Sequence, residues 1–226
     1  MPINNSHLYG LDEQHLVDYL GHQLEANTAV AFASLQQAAL ADEIDLQICS
    51  GFRNFDRQML IWNAKATGKR AVLDNNSKPL NIEKLTSKEL IDAILIWSAI
   101  PGLSRHHWGT DIDVFDGNMI NKQNLQLVSE EYALGGPCFK LSQWLDGNAQ
   151  KYGFYRPFQL GLSGVSPEAW HLSYFPIAEA YLRDFDINAV SDILKSSTVK
   201  LREPILAQID KLTAEYVYRV APIPKS

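Results

Sequence analysis

The stretch SRHHWGTDIDV, from Ser104 to Val114, constrains the fold more than any other part of the chain. After Gly109 it alternates, with Ile112 and Val114 on one face and Asp111 and Asp113 on the other. Period two belongs to a strand, and the aliphatic pair requires an apolar layer on one side of it. The opposite face carries two carboxylates, with His106 and His107 just upstream. Gly109 permits a sharp or close backbone path between the histidines and the strand. Either a metal site or a merely solvated polar loop could account for this pattern.

The elements around that strand set the fold class. Residues 12–43 are rich in Ala, Leu, Gln and Glu at helical spacing and are expected to be helical, with Gly21 and Asn27 as dividers. DLQICSGF is a strand candidate, and NFDRQMLIWNAKATG a helix closed by Gly68. KRAVLDNNSKPLN is expected as a loop. TSKELIDAILIWSAI opens on a capping box, Thr86 with Glu89, and Pro101-Gly102 stops it. FKLSQWLDGNAQKYG is a further helix, and short strands are expected in FYRPF and AWHLSYF. The tail is expected as three helices, IAEAYLRDF, VSDILKSS and LREPILAQIDKLTAEYVYRV, with Pro204 tolerated near the start of the last. Short strands interrupted by helices imply an α+β fold: a small antiparallel sheet flanked by helices, with helical N- and C-terminal additions.

At 226 residues, with 46% hydrophobic and 20% charged residues, the chain suits one soluble domain, 1–226. The net charge is −6 and no Lys/Arg cluster forms a nucleic-acid footprint, so no nucleic-acid partner is expected. No apolar run has the length of a membrane span. The start, MPINNSHLYGLDEQ, lacks a basic leader and an apolar signal core, which favours the cytoplasm; a periplasmic or cell-wall protein whose signal had been removed would read the same. Cys49 and Cys138 make no disulfide framework, and Cys49 is expected in the core. The sequence sets no oligomeric state.

His7, His15 and His22 are isolated and receive no role. A catalytic zinc takes three His or Asp/Glu ligands and leaves a position for water. His106 and Asp113 fit two such ligands, and His171 would have to arrive from a distant strand. The spacing H-x6-D by itself leaves solvated polar groups as the rival reading.

SRHHWGTDID has the pattern S-x-H-x-x-G-x-x-x-D, and EAWH, from Glu168 to His171, the pattern E-x-W-H. Together they resemble the signatures of the zinc D-alanyl-D-alanine carboxypeptidases of the VanY type, related to the VanX dipeptidases and the Hedgehog-like zinc fold. SGFRNFDRQ at Ser50–Gln58 and WLDGNAQKYGF at Trp144–Phe154 resemble further family segments in the same order. The resemblance covers about residues 45–176 and leaves out a helical N-terminal segment, 1–44, and a helical tail, 177–226.

The resemblance implies one Zn2+ per chain, held by His106, Asp113 and His171. It implies Glu168 as the general base and Arg53 as the group that steadies the carbonyl oxygen under attack. Ser104 and Gln58 are expected to contact substrate; a turn hydroxyl and a helix-surface amide are the plain alternatives. His107 and Trp108 are expected as packing residues. Asp111 departs from the small residue common in the family, and Ser173 stands where relatives often carry arginine. Asp111 could orient a ligand histidine, repel an anionic substrate tail, or simply be solvated. The expected partner is a peptidoglycan peptide with a terminal D-Ala-D-Ala bond, cleaved in carboxypeptidase mode. Endopeptidase action, dipeptidase action and a non-catalytic zinc-containing binding module are the alternatives.

Overall fold

The computed structural model describes residues 3–75 and 77–224; Asn76, in the loop expected after Gly68, and the ends of the 1–226 span lie outside the described residues. The chain opens with a hairpin of β1 (Leu16–Tyr19) and β2 (His22–Glu25), followed by α1 (Ala26–Ala41), β3 (Leu46–Ser50), α2 (Phe55–Ala66) and α3 (Ser87–Leu95). Then come β4 (Asp111–Asp116), the single turn α4 (Ser129–Tyr132), α5 (Phe139–Asn148), β5 (Phe154–Tyr155) and β6 (His171–Tyr174). The tail carries α6 (Phe175–Asp184), α7 (Ile187–Ser196), α8 (Arg202–Leu206) and α9 (Ile209–Thr213), which runs into a π-helical turn over Ala214–Tyr218.

The central sheet is antiparallel with strand order β3-β4-β6-β5. Its aliphatic face packs Ile48, Ile112, Val114 and Leu172 against Phe32 and Leu35 of α1 and Leu141 and Leu145 of α5. β4 is buried along its whole length, so the acidic face of the alternation is covered by protein. A second apolar cluster joins Trp62 of α2, Ile91 and Ile94 of α3 and Trp108 to Val190, Ile205, Leu212 and Val217 of the tail. The α+β class and the small antiparallel sheet are as expected. Among the described residues no helix is long and apolar enough to cross a membrane.

Three expectations are corrected. Residues 16–25 are a β-hairpin, with helix only from Ala26. Leu20 and Gly21 both adopt left-handed φ (53° and 79°), the conformation a two-residue hairpin turn needs. α3 ends at Leu95, ahead of Pro101, which frees Trp97–Ala99 to leave the helix. The last expected helix is broken into α8, α9 and the π turn, with a non-helical Gln208 between α8 and α9. Cys138 is fully buried, whereas Cys49 is only partly so, and both are free thiols.

Candidate active site

The sheet register builds half of the site. Asp113 of β4 lies directly opposite His171 of β6, and Asp111 opposite Ser173, all on the non-aliphatic face. Directly paired antiparallel residues hold their side chains in contact. His106 comes from the 3-10 turn Arg105–Trp108, which ends at Gly109 with φ +72°. A Cβ on Gly109 would stand 2.8 Å from the backbone nitrogen of Glu25 and 2.5 Å from Leu16 Cδ2. The glycine is therefore required both by its φ and by the hairpin passing beneath it.

His106, Asp113 and His171 each present one ligand atom, all within 4.8 Å of one another. The other ring nitrogens are committed. Nδ1 of His106 donates to the Gly51 carbonyl at 2.9 Å, and Nε2 of His171 to Asp111 at 2.9 Å. That leaves Nε2 of His106, 3.3 Å from Asp113 Oδ2, and Nδ1 of His171, 3.1 Å from Asp113 Oδ1. Donors about 3.3 Å apart form the edges of a tetrahedron around an ion with bonds of ~2.0 Å. The donor set, two imidazoles and one carboxylate, fits zinc.

The electrostatics also call for a cation. Burial opposes a proton on His171, but hydrogen bonds to Asp111 and Asp113 outweigh it and raise its pKa to about 9. In the metal-free chain a proton on His171 thus supplies the positive charge between two carboxylates. Burial opposes ionisation of Asp113, yet His106 and His171 hold it well below the usual carboxylate range. Glu168 sits with Oε2 3.4 Å from His171 Nδ1, and burial pushes its pKa up to about 7.

Asp111 is fully buried and fully partnered. Beyond His171 it accepts from Arg105 Nε at 2.8 Å, Thr110 Oγ1 at 2.8 Å and Ser173 Oγ at 3.1 Å. Arg105 also donates to Ser173 Oγ at 2.7 Å, and its guanidinium lies 4.4 Å over the Trp108 ring. Asp111 is therefore not a solvated carboxylate; its place is behind His171, where it fixes the ring's tautomer and orientation.

Arg53 reaches the cluster from the loop after β3. Its Nη2 lies 3.5 Å from Asp113 Oδ2, Nη1 donates to Gln58 Oε1 at 3.2 Å, and its buried Nε has no partner among the described residues. Gln58 is buried, not on the helix surface; it donates its other end to the Ala99 carbonyl at 2.7 Å. Its amide is thus spent on Arg53 and Ala99. His107 clamps the Arg53 backbone, with Nδ1 donating to the Arg53 carbonyl at 2.6 Å and Nε2 accepting from Gly102 N–H at 3.0 Å. Burial lowers its pKa to about 3, so it stays neutral. Trp108 is core, as expected. Ser104 is buried, and its hydroxyl makes no hydrogen bond to the turn it precedes.

His106, His171, Glu168, Arg53 and Ser104 line one small cavity of about 60 Å³. Trp97, Ser98, Phe158 and Tyr216 line it too, and sequence reasoning missed all four. Trp97 and Ser98 lay in the expected helix after Thr86, Phe158 in a strand candidate and Tyr216 in the last expected helix, where nothing marked them as site residues. His7 and His15 pack with Tyr181 away from this cluster.

Residues 21–177 match the VanY family of D-alanyl-D-alanine carboxypeptidases. The chain belongs to this family. An uncharacterised protein of Haemophilus influenzae is 34% identical over 121 residues, 52% of this chain and 92% of that protein. A D-alanyl-D-alanine carboxypeptidase of Enterococcus faecalis is 26% identical over 163 residues, 71% of this chain and 51% of that protein. Among solved structures, a variant of the vancomycin-resistance D,D-pentapeptidase VanY from a VanB-type cassette, in complex with Zn(II), superposes with a TM-score of 0.53 at 23% identity. That match covers 76% of this chain and 85% of the other, and it shows a shared fold. The VanY match ends at Ile177, so Tyr216 is a contribution to the site from outside the matched region.

Proposed function

We propose that this chain is a zinc-dependent D,D-carboxypeptidase that removes the terminal D-alanine from peptidoglycan stem peptides or their precursors. The observation that carries this reading is the convergence of His106 Nε2, Asp113 and His171 Nδ1, with each second ring nitrogen tied down behind it. Membership of the VanY family supports the choice of bond. We read the chain as one peptidase domain, because Tyr216 of the tail lines the same cavity as His106.

His106, Asp113 and His171 would hold one zinc ion. When bound, zinc activates water and polarises the scissile carbonyl. Glu168 takes the proton from the attacking water and passes it to the leaving amine of D-alanine, a cycle suited to a buried carboxyl whose pKa lies near 7. The guanidinium of Arg53, which lines the cavity, offers charge-assisted donors where the carbonyl oxygen gains charge. Gln58 and His107 are positioning residues that fix Arg53 through its side chain and its backbone. Ser104 offers its hydroxyl to the substrate in the cavity wall.

Zinc content and D-alanine release from a pentapeptide stem test this together. The expected result is about one zinc per chain and release that stops on chelation and returns with zinc. A zinc-loaded protein that releases no D-alanine would refute the carboxypeptidase reading.

A further inference from the structure

The cavity that gathers the candidate zinc ligands is too small to hold a peptide. Its volume is about 60 Å³, against ~300–1,000 Å³ for ordinary ligand pockets. Part of its wall must move before a substrate reaches His106. Most of that wall is fixed. Leu95, Leu103 and Ser104 are buried in the fold. Trp97 stacks on Trp170 and donates from Nε1 to the Asp74 carbonyl at 3.0 Å. Ser98 Oγ accepts from Lys65 Nζ at 2.7 Å, and the Phe158 ring lies 4.6 Å from that of His171. Val165 differs: it is only half-buried and stands on a largely exposed loop.

That loop runs from Phe158 to Glu168, and both of its ends are buried. Glu168 N–H donates to the Phe158 carbonyl at 3.3 Å, which pins the ends together. Between them the loop bonds to itself. The amides of Leu162 and Ser163 donate to the Gln159 carbonyl at 3.1 and 3.2 Å, and Ser163 Oγ donates to the Val165 carbonyl at 2.8 Å. A compact loop whose ends meet and that packs on its own side chains is an Ω-loop. Such internal bonding lets it move as one piece. Its tip is not packed down: Leu160 is 86% exposed and Leu162 46%.

The C-terminal segment, beyond the VanY match, holds this loop down. Arg219 Nη2 donates to the Gly161 carbonyl at 3.0 Å, and Gly164 N–H donates to the Arg219 carbonyl at 3.3 Å. Arg219 is braced by an ion pair with Glu215 of the π-helical turn. The two backbones nearly touch: a Cβ on Gly164 would stand 2.1 Å from the Glu215 carbonyl oxygen. Of the two partners the tail is the fixed one. Val217 and Ala221 are buried, and Ala221 N–H donates at 2.8 Å to the Pro157 carbonyl, ahead of the loop. Two hydrogen bonds around a partly exposed arginine make a weak latch, so the loop lifts while the tail stays.

We propose that residues 159–167 are a flap over the zinc cavity, latched by Arg219, which lifts to admit the substrate and closes over it. Closing shuts bulk water out of the cavity. Glu168 lies at the hinge, on the buried end of the loop, and keeps its place beside His171. The proposal rests on the zinc-peptidase reading.

The test reads access to the metal and needs no turnover. Zinc-loaded protein is mixed with excess EDTA, the loss of zinc is followed in time, and zinc affinity is measured separately at equilibrium. When opening and reclosing are fast relative to capture, the rate of loss follows the open fraction. Arg219→Ala removes the latch, and Gly164→Ala wedges the seam apart. Each is expected to speed zinc loss by about 3- to 10-fold, the scale of one partly exposed charge-assisted contact. A gate speeds uptake as much as release, so zinc affinity is expected to stay at the wild-type value. Hydrogen exchange of the zinc-free protein reads the same opening without metal. The Gly164 amide, bonded across the seam, is expected to exchange faster than those of Leu162 and Ser163, bonded within the flap, and faster still in Arg219→Ala. Zinc loss and Gly164 exchange equal to wild type in both variants overturn the flap and leave the zinc site standing. Faster loss with a matching fall in affinity also overturns it, since the loop would then be supporting the ligands and not covering them. Wild-type protein that takes up no zinc overturns the zinc reading, and Gly164 exchange then decides the flap by itself.

Discussion

At the scale of single residues, His171 is the meeting point of the site. It is paired across the sheet with Asp113, backed by Asp111 and approached by Glu168. His106→Ala and His171→Ala are expected to lose zinc, measured by metal analysis after dialysis. Glu168→Ala is expected to keep zinc while turnover falls by roughly 10²–10⁴-fold, because Glu168 moves a proton and is not among the convergent donors. Asp111→Asn keeps the shape of the side chain but weakens its hold on His171; zinc affinity is expected to fall by about 10–100-fold in a competition titration. Asp111→Ala goes further. It leaves Arg105 buried without its carboxylate, so a loss of about 3–5 kcal/mol in denaturant unfolding is expected. The trio of His106, Asp113 and His171 was an expectation of the family resemblance, since spacing alone could not bring His171 to the other two; the structure brings the three together. The sequence did not show what Asp111 does, since alternation places a carboxylate on a face without saying what covers that face. Nor did it show that Lys65 is buried, although one signal was present: Lys65 continues the buried Gln58–Trp62 stripe at helical spacing.

At the scale of elements, the strands, α2 and the start of α3 were legible because period, caps and turn residues agreed there. The hairpin β1–β2 was not. LVDYLGHQLE sets leucines at 16, 20 and 24, a helical spacing, and its turn carries Leu20 at a left-handed φ where asparagine or glycine would have advertised it. What makes a strand pair of that segment is tertiary: Glu25 N–H donates to the Gly109 carbonyl at 2.9 Å, beside the turn that carries His106. Gly109→Ala tests that contact. A forced left-handed alanine whose Cβ meets the Glu25 backbone is expected to cost about 2–5 kcal/mol and to lower Tm by roughly 5–15 °C. Gly147 of α5 is the contrast, since a Cβ there meets nothing within 4 Å. Gly147→Ala is expected to stabilise the helix by roughly 0.5–1 kcal/mol, read by the same thermal melts.

At the scale of the whole molecule, the site couples metal, pH and stability. In the metal-free protein the raised pKa of His171, about 9 against about 6.5 in an unfolded chain, contributes stability that is complete below pH 6.5 and is lost as pH rises through 9. Glu168 acts in the same direction, because its pKa near 7 means that the folded state holds a proton the unfolded chain has released from about pH 4.5 upward. Asp111 and Asp113, held low, contribute stability that is present above about pH 4 and lost as pH falls further. Chelator-treated protein is therefore expected to be most stable near pH 5 and to lose on the order of 6 kcal/mol by pH 9, about half from each of His171 and Glu168. Zinc reverses the trend. It needs His171 without its Nδ1 proton, so it binds more tightly as pH rises, and it stabilises only the folded chain that assembles all three ligands. The gap in Tm between zinc-loaded and chelated protein is expected to widen steadily from pH 5 to pH 8. A gap that stays constant across that range would show that no histidine proton is exchanged for the metal, and would remove His171 from the ligand set.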